Sequence, residues 1–210
     1  MNESEMMDVI NGFAEAAVDH FPCYHGTETR LYATGQPPAG WKDKAARFAR
    51  KLGYELRYTM EPAYLNGPGT NGFTSGYAPR GQCPGCGGFH DDDHDHVIAV
   101  RPDLSPAKQY SVTCHELAHA YLRHPVQDEH EYIREMQKAY RQGGTREDFS
   151  HETSAQLAAV AAVSASATLT PHYSLMCYLA DRVHGHRRPI GDAERRAAFL
   201  AGRAIAEALA

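Results

Sequence analysis

The sequence lacks an apolar run long enough to cross a membrane. The longest, residues 157–165, is already interrupted at Ser164, and a spanning helix needs about 20 residues. The positive start of a secretory signal is also missing: Met1 to Asp8 carries acids and no Lys or Arg. Nor is there an excess of positive charge, since the net charge is -5 with His neutral. Phosphate backbones require a basic face, so nucleic acid is not the expected partner. The five cysteines are odd in number. Without a secretory signal, they argue against a disulfide framework and for a reducing compartment. A cytoplasmic protein without a membrane anchor is expected. No internal repeats are present.

What is there is ordinary globular usage, 42% hydrophobic and 22% charged, which excludes the disordered and fibrous classes. The 210 residues suffice for one sizeable domain, or for one domain with a small appendage. Histidine is the exception. There are 13, gathered at 90–96, 115–130 and 184–186, and this clustering is the first pointer to metal chemistry.

Apolar spacing over 4–21 (Met6, Met7, Ile10, Phe13, Ala14, Ala17, Val18) predicts an amphipathic helix, ended by Phe21-Pro22. Residues 22–40 read as a loop. A helix is expected over 41–52 with Gly53 as its cap, then strands over 54–60 and 73–78. A Cys/His-rich insertion occupies 79–96, and Val97 to Val100 reads as a buried strand. Ser105-Pro106 is a helix start, and that helix should run to about Arg123, where His124-Pro125 stops it. Further helices are expected over 128–141, over 151–167 with Ser150 as N-cap, and over 171–183 and 192–209. The organisation is an N-terminal helix and loop (1–40) followed by one domain (41–210). The fold class is α+β, with a small, mostly antiparallel sheet packed on a helical bundle.

His115-Glu116-Leu117-Ala118-His119 reads H-E-x-x-H. On a helix, positions i and i+4 share one face, so two imidazoles can grip one metal. Zinc accepts imidazole and carboxylate, and a catalytic site takes three protein ligands and keeps one position for water. Glu116, one residue along, is turned to reach that water as general base. Chance would give roughly 0.05 such patterns in a chain with this many His and Glu. The surrounding Val112, Leu117, Ala118, Ala120, Tyr121 and Leu122 supply the packing face of a helix.

The third ligand must come from elsewhere. A metzincin would place Gly and His where this chain has Leu122 and Pro125, which excludes that class. Glu152, opening a small-residue helix 33 residues past His119, is the preferred candidate. Its alternative role is a helix N-terminal acid opposite the dipole. Glu129 and Glu131 follow too soon after the helix stop. Glu135 and Glu147 sit among basic residues and read as a solvated face.

At this point the chain resembles the ImmA/IrrE-type metallopeptidases. The resemblance runs through Asn71-Gly-Phe-Thr-Ser-Gly-Tyr77, residues 97–109, residues 113–125, Glu152-Thr-Ser-Ala155 and the terminal helix with Ala197, Phe199, Ile205 and Leu209. It implies a zincin-like fold, one catalytic Zn2+ held by His115, His119 and Glu152, and Glu116 as base. It also implies a cytoplasmic endopeptidase set against a protein substrate such as a helix-turn-helix repressor. Some relatives carry an ArdC-like antirestriction or single-strand DNA-binding segment, which leaves a DNA-associated or regulatory zinc module without protease activity as the alternative. The chain departs from the pattern in the insertion and in the Ala/Ser-rich stretch 156–167, where larger aromatics are expected.

Within the insertion, Cys83 and Cys86 form C-x-x-C, with His90 and His94 (and His96) close behind. That set suits a second, structural zinc. A redox dithiol, a latch in which Cys83 or Cys86 occupies the open zinc position, and a solvated acidic loop are the other readings. Tyr173 and His172 are candidate oxyanion donors. Cys23, Cys114 and Cys177 read as small buried hydrophobes, and His184-Gly-His-Arg-Arg188 as a solvated turn.

Overall fold

Val97-Ile-Ala-Val100 is buried on both faces, as a run of four apolar residues demands, and it is the middle strand of a three-stranded sheet. The computed structural model describes residues 2, 4, 5, 8, 33–62, 64–65, 71–75, 96–124, 150–171 and 192–210, with 150–153 and 192 described for backbone alone. In chain order the elements are β1 (Ala33–Gly35), α1 (Trp41–Lys51), β2 (Glu55–Tyr58), β3 (Gly72–Thr74), β4 (Val97–Val100), α2 (Pro106–Tyr121), α3 (Ser150–Ser164), β5 (Leu169–Pro171) and α4 (Asp192–Leu209). The fold is α+β.

The three-stranded sheet has the order β2-β4-β3. β3 runs antiparallel to β4 with Phe73 opposite Ala99, while β2 runs parallel to it with Leu56 opposite Ile98. Two of the three strand pairings among the described residues are antiparallel, as expected, and the β2-β4 pair is parallel. Its cause is the long connection from 59 to 96, which lets the chain return in the same direction. A second sheet was not expected at all. β1 lies in the stretch read as a loop, and β5 ends at Pro171, where a helix was expected to begin. The two pair antiparallel, Thr34 opposite Thr170. Three-residue strands are too short to show alternation, and their pairing depends on contact between distant segments.

The helices follow their apolar spacing. α1 buries Trp41, Ala45 and Ala49, and the Trp41 ring meets Tyr58 and Tyr110 edge-on. α2 begins with Pro at its first turn as expected, but Ser105 makes no side-chain capping bond; its extended backbone alone sets the start. α2 ends at Tyr121, two residues before the expected limit. α3 is buried on all sides from Ala155 to Val163 because it packs against α2 on one side and α4 on the other. That position explains its alanines. At Gly202 of α4, an added Cβ would strike the Ala158 carbonyl oxygen and lie 2.6 Å from Ala161 Cβ. Larger residues would force α3 and α4 apart.

The helices expected over 4–21, 128–141 and 171–183 lie outside the described residues, a few isolated N-terminal positions and Pro171 apart. Among the described residues, no helix is long and apolar enough to cross a membrane.

Candidate metal centre

α2 runs beneath β3 and β4 and alongside α3, and twelve of its residues are buried. His115 and Glu116 are 4% and 6% exposed, and His119 is half-buried. The i, i+4 spacing brings the two imidazoles together. Nε2 of His115 and Nε2 of His119 are 3.0 Å apart, with ring centroids 4.7 Å apart and planes at 74°. A tetrahedral zinc with bonds of about 2.0–2.1 Å separates its ligand atoms by about 3.3 Å. The two nitrogens, within hydrogen-bond distance of each other, therefore stand close to the spacing of two ligands on one zinc ion, and imidazole suits that metal.

Glu116 is held from above by β3. Thr74 Oγ1 donates to Glu116 Oε2 at 2.7 Å and lies 3.1 Å from the Glu116 main-chain carbonyl oxygen. One hydroxyl proton serves both contacts, and the carboxylate oxygen is the stronger acceptor. Glu116 Oε1 lies under Gly72. A Cβ at that glycine would stand 2.5 Å from Oε1, 2.7 Å from Val112 Cγ1 and 2.8 Å from Glu116 Cγ. Gly72 and Thr74, two apart on one strand, share the face turned to α2. Phe73 faces the other way, against Tyr64.

Beyond the helix end, His124 returns to the site. Its Nδ1 is 2.8 Å from Nδ1 of His119, on the edge of that ring opposite Nε2, with planes at 77°. Three imidazoles thus stand in a row: His115, His119, His124.

Among the described residues, no group of three His, Cys, Asp or Glu stands close enough to hold a metal ion. Glu152 lies in the first turn of α3, the helix packed along α2, and its side chain is outside the described residues. The alternatives Glu129, Glu131, Glu135 and Glu147 are outside them too. So are Cys83, Cys86, His90 and His94 of the second metal set, His172 and Tyr173, the turn 184–188, Cys23 and Cys177. Cys114 is fully buried beside the site, as a small hydrophobe should be. Burial pushes its thiol up, against a hydrogen bond with Tyr110.

Sequence reasoning missed Gly72, Thr74 and His124. Gly72 and Thr74 stood in the segment that carried the resemblance, without a role. His124 was read as part of a helix stop. No family profile matches this chain, no curated protein matches its sequence, and no solved structure matches its fold.

Proposed function

We propose that this chain is a zinc-dependent metallopeptidase of zincin-like architecture. His115, His119 and Glu152 hold the metal, and Glu116 is the general base. The observation that carries the reading is one arrangement: two Nε2 atoms 3.0 Å apart beside a buried carboxylate that β3 fixes in place.

Bound zinc supplies the Lewis acidity that polarises a carbonyl and brings a water pKa down to about 7. The chain's own groups do the rest. Thr74 ties down Glu116 Oε2, and the carboxylate held in this way accepts a proton from water and delivers it to the leaving amine. Near-complete burial strengthens each of these contacts.

β3 also suits a peptide. Arg101 N–H donates to Asn71 O, and Ser75 N–H donates to Val97 O. Antiparallel alternation then aims the main-chain groups of Gly72 and Thr74 at the outer edge, directly over Glu116. An extended substrate can add there as a strand. The resemblance at the sequence level suggests an intracellular protein, such as a helix-turn-helix repressor, as substrate.

The test is Glu116→Gln, assayed for metal content and for cleavage. The expected variant retains one zinc per chain and cuts nothing. A variant as fast as the parent removes Glu116 as base, and a parent that purifies and stays zinc-free in zinc buffer removes the metal.

A further inference from the structure

We infer that His124 is a positioning residue that fixes the tautomer and orientation of His119 for the metal. The inference deepens the proposed function and rests on it. The backbone delivers His124 to this place by a specific closure. After Tyr121 the chain turns through Arg123, whose φ is 53°. Arg123 N–H donates to Ala120 O at 3.2 Å, and His124 N–H donates to His119 O at 3.1 Å. These are the 5→2 and 6→1 bonds of a Schellman ending, with the left-handed residue at the position where glycine is usual. The left-handed conformation costs a non-glycine residue about 1–2 kcal/mol. Strain of this kind persists where the surroundings enforce it, and often beside functional groups.

The result is that His124 is tethered to His119 twice, once through the main chain and once ring to ring. Two Nδ1 atoms at 2.8 Å require one donor and one acceptor. If His119 offers its Nε2 lone pair to a metal, the proton of the neutral ring sits on Nδ1. His119 is then the donor, His124 Nδ1 the acceptor, and the proton of His124 sits on Nε2. His124 cannot be a third ligand to the same ion, because it touches the edge of His119 opposite Nε2. Metal-bound histidines are commonly held in this way by a partner on the other nitrogen, and loss of that partner weakens metal affinity by about 10–100-fold.

Two measurements test this. The first is made on metal-free protein labelled with 15N in histidine, where NMR assigns the proton on each ring. His119 is expected as the Nδ1–H tautomer; an Nε2–H His119 overturns the inference. The second is zinc affinity by competition with a chromophoric chelator, for the parent, His124→Leu and His124→Asn. Leu removes the acceptor and is expected to weaken zinc by about 10–100-fold. Asn places Oδ1 where Nδ1 stood and is expected to stay near the parent. Leu binding as tightly as the parent overturns the inference, and so does Asn falling as far as Leu. If Leu fails to fold, the Asn affinity and the tautomer still decide. A parent that binds no zinc sinks the proposed function, whereas the tautomer is read in metal-free protein and decides the inference without any metal.

Discussion

Thr74 and Arg123 carry single-residue consequences that can be measured apart from each other. Thr74→Val keeps the shape of the side chain and removes its hydroxyl. A hydrogen bond to a charged group is worth about 1.5–3 kcal/mol, so kcat is expected to fall at least about tenfold. Zinc affinity should stay unchanged, because the Thr74 hydroxyl holds Glu116 and neither imidazole. An unchanged kcat would show that Glu116 needs no such tie. Arg123 invites comparison with Gly53. α1 closes with the same bond pair as α2, Gly53 N–H to Arg50 O at 3.0 Å and Tyr54 N–H to Ala49 O at 2.9 Å, on a residue with φ 89°. Arg123→Gly is expected to stabilise the protein by about 1 kcal/mol and Gly53→Ala to destabilise it by a similar amount; urea midpoints would show both. Gly53 was legible because glycine after a helical pattern has a known use. Arg123 was not, because nothing in arginine announces a left-handed residue. The H-E-x-x-H pair was legible because both imidazoles lie on adjacent turns of one helix. Thr74 was hidden because its partner is 42 residues away and is set by the register of β3 on β4.

Among the elements, α3 has the narrowest tolerance. Its alanines looked out of place in the sequence, where larger side chains were expected, and the reason lay in α4. In an ordinary helix interior, Gly→Ala gains about 1 kcal/mol from propensity. At Gly202 the new methyl would meet the main-chain carbonyl of Ala158, which has no rotamer to escape through. Gly202→Ala is therefore expected to destabilise by about 1–3 kcal/mol, as overpacking does. A rise in the urea midpoint would show that α3 and α4 have slack. Helices α1, α2, α3 and α4 were legible because each spans three or more turns, with Gly53 marking the end of α1 and Ser105-Pro106 the start of α2, and β4 from an unbroken apolar run. The pair β1 and β5 was not. Leu169 is buried in β5, yet three residues beside a proline give no period to read, and only the arrival of residues 33–35 makes them a strand.

For the whole molecule, the proposed metal couples function to stability. A ligand bound only by the folded state stabilises it by about 4 kcal/mol when free metal stands at a thousand times Kd. For a chain of this size, stripping zinc with a chelator should then lower Tm by about 10 °C. His115→Ala should melt at one temperature with or without the chelator. Equal shifts in parent and variant would place the metal elsewhere.

The short edge of β3 has a consequence for what such an enzyme selects. Among the described residues, only Gly72 and Thr74 turn their main-chain groups outward there. A guest must arrive with its own amides already released from helix or sheet. Tails, hinges and momentarily melted segments meet that condition, and well-folded interiors do not. Turnover would then follow how often a target breathes open at the scissile stretch, and a partner or stress that loosens the target would set the rate without touching the enzyme.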